Sequence, residues 1–147
     1  MNFARVAASA VAAWVVSLPV GFFVNEIVLA DLLAANAAAM RPREALMANL
    51  PFGFAAALLG FFVFAYMYAK GYEGTNGTVE GIRFGVLTAL FVSCFGLLWN
   101  WVVFPISGMM ALATIVDRVA EMALYGAIVG TIYKPAARSA RRPVTVA

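Results

Sequence analysis

The chain of 147 residues contains no histidine and a single cysteine. Without histidine there is no imidazole to ligate haem or metal and none to serve as a general base near neutral pH. Cys94, alone inside an apolar run, forms no intrachain disulfide and belongs to no Cys-x-x-Cys redox or zinc pattern. Charge is also scarce: Asp, Glu, Lys and Arg together make up 12% of the residues, against roughly 25% in an ordinary soluble domain. Phosphate-binding loops, dinucleotide fingerprints and nucleophile elbows are missing from the sequence as well. These absences predict a protein that is not an enzyme and carries no cofactor and no metal.

What the chain has instead is apolar surface. Hydrophobic residues make up 65% of it, more than a domain of this size could hide from water given its surface-to-volume ratio. Lipid is the solvent this composition predicts, and the bilayer is its first expected partner. Four stretches reach the roughly 20 residues that cross a hydrocarbon core. They run over about residues 6–29, 46–69, 83–104 and 109–133. The first resembles a secretory signal, with Arg5 before it and Val28-Leu29-Ala30 near its end. Its length exceeds the roughly 7–15 apolar residues of a signal, so it is read as a retained span. The expected fold is therefore all-α: an integral membrane four-helix bundle over residues 1–134, followed by a basic tail at 135–147.

The cations orient it. With four crossings, both termini share a side with the loop between spans two and three. That side holds Arg5, Lys70, Arg83, Lys134, Arg138, Arg141 and Arg142, and the other only Arg41 and Arg43. The excess predicts cytoplasmic termini. The net charge of +3 thus reads as topology and headgroup attraction. No basic stripe with interleaved aromatic residues occurs, and no nucleic-acid partner is expected.

Connections follow from local chemistry. Asp31 is expected to cap a short Ala-rich helix from Leu32 to Met40, ended by Arg41-Pro42. Gly71 to Thr78 has the glycine and Asn-Gly content of a tight turn, with Thr78 or Gly77 capping the next helix and Glu80 in its first turn. Pro105 ends the third span. A faint parallel repeat pairs Gly21–Val28 with Gly96–Val103 and Ala57–Gly60 with Ala123–Gly126. It would make Asn25 and Asn100 structural equivalents.

The fourth span carries the unusual residues. Asp117, Arg118 and Glu121 lie about 12–18 Å from its outer end at 1.5 Å per residue. Each charge costs about 2.5–3.5 kcal/mol at a helix centre, so the trio must face protein or water. Helical spacing puts the three in one sector with Thr114 and Tyr125, and Arg118 reaches Glu121 at i,i+3. This candidate polar site reads as an internal salt bridge, a proton- or ion-handling site, or a docking point for another subunit. Glu26, Asn25 and Asn100 add polarity near the outer ends of spans one and three, with Glu26 placed to pair with Arg41 or Arg43. Small residues mark close packing: Gly81 and Gly85 on the third span, and Ala123, Gly126, Ala127 and Gly130 on the fourth. Trp99 and Trp101 suit an interfacial belt, while Trp14 falls nearer the middle.

Ala69-Lys-Gly-Tyr-Glu-Gly74 followed by Glu80-Gly-Ile-Arg-Phe-Gly85, with Pro105 after the third span, resembles small four-span bacterial membrane proteins of unknown function. The resemblance covers the second half of the chain and implies a bacterial inner membrane. It implies no activity. Glu80 and Arg83, an i,i+3 pair, are expected to secure the loop. The composition and small-residue faces point to a non-catalytic subunit or oligomeric scaffold, joined to copies of itself or to other membrane subunits. The rival expectation is a small oligomeric transporter or channel that uses the Asp117, Arg118 and Glu121 cluster.

Overall fold

The computed structural model describes residues 1–133; the basic tail expected at 135–147, with Lys134, lies outside the described residues. Those described form helices and turns, without strands. Helix α1 spans Phe3–Val28, α2 is the short Ala30–Ala35, α3 spans Arg43–Gly71, α4 spans Gly77–Val103 and α5 spans Gly108–Tyr133. Helices α1, α3 and α4 are long and apolar enough to cross a membrane. At 26 residues α5 is as long, but any 18-residue stretch of it contains Asp117, Arg118 and Glu121.

The helices begin and end where backbone groups find partners, which moves several boundaries from their expected places. α1 starts at Phe3 because Asn2 accepts a hydrogen bond from the Arg5 N–H at 3.2 Å. α4 is capped by Asn76, whose side chain accepts from Thr78 N at 3.1 Å and Val79 N at 3.4 Å. The expected caps, Gly77 and Thr78, are its first two helical residues. Asp31 likewise sits inside the first turn of α2 and caps nothing, and the Ala-rich helix stops at Ala35. Asn36 ends it, and Ala37–Ala39 continue as a single 3-10 turn.

Two long helices each contain one widened π turn, Val24–Val28 in α1 and Ser93–Leu97 in α4. In α1 the Asn25 amide donates to the Gly21 carbonyl at 2.7 Å. That carbonyl is the one the regular ladder would use, and the bond from Leu29 N to Val24 O then spans five residues at 2.8 Å.

α4 and α5 pack backbone against backbone. A β-carbon added at Gly77 would run into the Gly130 carbonyl, at Gly81 into that of Gly126, and at Gly85 into that of Met122; the reverse holds for Gly126 and Gly130. Only hydrogen fits on either side of this crossing. The remaining core lies at the end of the molecule that holds the start of α1 and the end of α5. Val6, Ala10 and Ala13 of α1 meet Phe64, Ala65 and Tyr68 of α3 and Tyr125, Val129 and Tyr133 of α5. Tyr68 is the hub: its ring lies 5.6–6.0 Å from those of Tyr72, Phe84 and Tyr133, and its hydroxyl donates to the Gly77 carbonyl at 3.0 Å.

Toward the other end the packing thins. No residue of α3 before Phe64 is buried, and Leu46, Met47, Phe52, Phe54 and Leu59 are exposed. The Trp14 indole of α1, donating to the Phe54 carbonyl at 3.1 Å, ties α1 to this part of α3.

Candidate functional site

Glu121 is 8% exposed, and Arg118 Nη1 donates to its Oε2 at 2.9 Å. This i,i+3 pair is the one ion pair among the described residues. Arg118 keeps 37% of its side-chain surface exposed, and Asp117 is half-buried. The face is fixed by Tyr125, one turn beyond Glu121 and buried, whose ring meets Phe61 of α3 edge-on at 5.1 Å. Asp117 and Glu121 lie on the same stripe as Tyr125. The cluster keeps a formal charge of −1, with one carboxylate inside the pair and Asp117 outside it.

The other polar residues do not join this cluster. Thr114 donates to its own Met110 carbonyl at 2.8 Å and lines a separate groove with Asn100. Asn25 bonds within α1. Glu26 is exposed and makes no ion pair with Arg41 or Arg43 among the described residues; its place in the π turn leaves it facing outward. Asn25 and Asn100 are both exposed, one inside a π turn and the other after one. Of the small residues, Gly81, Gly85, Gly126 and Gly130 form the crossing, and Ala123 stands 3.2 Å from a β-carbon placed at Gly85. Ala127 contributes its carbonyl to Thr131 Oγ1 at 2.7 Å. Thr131 in turn meets Thr78 Oγ1 across the helices at 2.8 Å.

Glu80 secures the loop before α4 through a route other than Arg83. Its carboxylate accepts from the Glu73 N–H, from Thr75 N at 3.4 Å and from Thr75 Oγ1 at 3.0 Å. Arg83 is exposed and unpaired with it. A buried acid here collects the orphan N–H groups of a Gly-rich turn, which have no ladder to join.

Three features had no place in the sequence reading. Gly77 extends the glycine row to Gly77-x-x-x-Gly81-x-x-x-Gly85, a spacing visible in the sequence. Asn36 is buried at 7% exposure and clamps the far end: its Oδ1 accepts from Ser107 N at 2.7 Å and its amide donates to Leu32 O at 2.8 Å. Ser107 then caps α5, accepting from Met110 N at 3.1 Å. The one signal for Asn36 is a lone amide in an alanine run. Ser93, at the π turn of α4, is 3% exposed, and its hydroxyl has no partner among the described residues.

At the far end, the last turns of α4, the first turns of α5 and residues 39–41 enclose a groove of about 450 Å³. Its walls are apolar, among them Leu97, Phe104, Ile106 and Met110, with Arg41 at one edge. No group of three or more His, Cys, Asp or Glu side chains suited to a metal exists among the described residues. Neither a protein-family model, nor a curated protein, nor a solved structure matches the chain.

Proposed function

We propose that this chain is a non-catalytic integral membrane protein that serves as a structural subunit or oligomeric scaffold in a bacterial inner membrane. In this reading α5 is the fourth span, the four long helices form one bundle, and both termini are cytoplasmic. The far end, with α2 and Asn36, then faces outward. The lone cations Arg41 and Arg43 on that side, against Arg5, Lys70 and Arg83 on the other, support the orientation.

The observation that carries the reading is the Asp117–Arg118–Glu121 cluster in the middle of α5, with Glu121 buried and Asp117 and Arg118 only partly covered. At the depth of a helix centre each such charge costs about 2.5–3.5 kcal/mol against lipid. A helix from a second subunit covers it, and the carboxylate of Asp117 outside the pair gives that subunit a polar contact. The exposed apolar side chains of α3 from Leu46 to Leu59 lie all round the helix and give it a lipid-facing side as well as a side for a partner.

The second reading is a small oligomeric transporter or channel in which water fills this cleft. It is favoured by the partial exposure of Arg118 and Asp117. Glu121→Gln separates the two in proteoliposomes. The scaffold reading predicts no proton or ion flux above empty vesicles, with or without the substitution, and an oligomer weakened by the variant. Flux through the wild type that Glu121→Gln abolishes while assembly persists would replace it with the transporter.

A further inference from the structure

The groove at the far end lies one turn outward of the charged cluster on the same face of α5, with Thr114 at i,i+4 from Arg118, and differs from it in chemistry. Leu97 and Asn100 share one face of α4 at i, i+3, Phe104 follows as the extended residue after its end, and Met110 and Thr114 share one face of α5 at i, i+4. From Val103 to Leu97 the groove descends roughly 9 Å along α4, at 1.5 Å per residue. Its volume of about 450 Å³ falls among those of ordinary small-molecule sites, roughly 300–1,000 Å³.

Its polar groups sit in an order. Arg41, in the connection that roofs the groove, is exposed and has no carboxylate partner among the described residues. The Asn100 side chain, at the wall, makes no hydrogen bond among the described residues. Thr114, further along α5, spends its hydroxyl proton on Met110 O and keeps only acceptor capacity, so the lining between Arg41 and Thr114 offers an anion no second donor apart from the Asn100 amide. A free cation above, a free amide at the side and an apolar floor match one class of molecule: an amphiphile with an anionic head and a hydrocarbon tail. The neighbouring Trp99 and Trp101 are exposed and suit the interfacial depth where such heads lie.

We propose that this groove binds an anionic phospholipid from the leaflet at the far end, with its phosphate on Arg41, its ester region against Asn100, and one acyl chain between Leu97, Phe104, Ile106 and Met110. The site would hold the lipid in one pose, unlike the diffuse attraction that surface cations exert on any anionic membrane.

The test uses the whole chain, stripped of lipid in a neutral detergent, with thermal unfolding followed by circular dichroism. Phosphatidylglycerol, phosphatidylcholine with the same acyl chains, or inorganic phosphate is titrated in. A ligand that binds the folded state raises Tm in proportion to its occupancy. Phosphatidylglycerol is expected to raise Tm well above the level reached with phosphatidylcholine. Arg41→Gln should weaken that response roughly tenfold in lipid concentration, the loss of one charge-assisted contact. Arg43→Gln, equally exposed but outside the groove, should leave it within about twofold, since a diffuse cation is worth little. Ala39→Trp, at a half-buried position in the lining of the groove, should block it. Equal shifts with the two lipids would overturn the assignment of the head. A full shift with inorganic phosphate alone would overturn the tail. Equal losses in Arg41→Gln and Arg43→Gln would leave only diffuse surface attraction and overturn the site.

Discussion

Replacing Gly126 by alanine tests the close crossing of α4 and α5. The added β-carbon would stand 2.8 Å from the carbonyl carbon of Gly81 and 3.2 Å from the Gly85 α-carbon. The nearest atom is the Gly81 carbonyl oxygen itself; carbon atoms settle about 3.5–4.0 Å apart, so α4 and α5 must part locally by about 1 Å. A gap of that size forfeits a quarter to a half of each neighbouring dispersion contact. Overpacking of this kind costs about 1–3 kcal/mol, while alanine returns about 0.5–1 kcal/mol as the better helix former. The expected net is a loss of about 1 kcal/mol, with an upper bound of about 2.5 kcal/mol. Gly60 of α3 supplies the control, because nothing lies within 4 Å of a β-carbon placed there. Gly60→Ala should gain about 0.5–1 kcal/mol, giving the two substitutions opposite signs. Reversible unfolding in mixed micelles, titrated with a denaturing detergent and read by far-ultraviolet circular dichroism, measures both. Gly81→Ala combined with Gly126→Ala should cost less than the sum, since the helices have already parted. A Gly126→Ala protein as stable as Gly60→Ala would refute the backbone-to-backbone crossing.

Other positions give independent checks. Glu80→Ala leaves the Glu73 and Thr75 N–H groups without their acceptor, with an expected loss of about 1–3 kcal/mol and faster hydrogen exchange at those two amides. Asn36→Ala should cost about 1–2 kcal/mol and release the Ser107 amide to exchange, while exchange at Tyr68 and Val129 stays unchanged. Arg118→Leu strands the carboxylate of Glu121 and should destabilise more than Glu121→Gln, which leaves a neutral amide in its place; the same detergent titration ranks them. Tyr68→Phe removes one hydroxyl donor to Gly77 O and should cost about 0.5–1.5 kcal/mol, with the aromatic cluster preserved.

The helices were legible because their length and apolar content follow from the bilayer's thickness, and four runs of about 20 residues have few other uses. The Arg118–Glu121 spacing was legible for the same reason: i,i+3 neighbours meet on any helix. What escaped were details decided by partners far away in sequence. Asn36 and Ser107 lie 71 positions apart, and nothing local to either announces the other. Glu80 lies beside Arg83 on the helix, yet its carboxylate turns to the loop because the N–H groups of Glu73 and Thr75 have no other acceptor. Caps shifted by one or two residues, as at Asn76, because a side-chain acceptor competes with its neighbours over distances shorter than hydropathy can resolve. The glycine row is half visible: Gly81 and Gly85 stand inside an apolar helix, while Gly77 follows Asn76 in the pattern of a turn or cap. The uneven closure of the helices, tight near Tyr68 and loose along the first half of α3, depends on which faces of α1 and α5 reach it, which the hydropathy of α3 alone does not set.

The mass of the intact assembly tests the central proposal most directly. The protein would be taken from its own membrane in native lipid discs and weighed by native mass spectrometry. The account predicts more than one subunit, either copies of this chain or a larger complex, with the assembly weakened by Glu121→Gln. A monomer in lipid discs, with stability unaffected by that substitution, would contradict it.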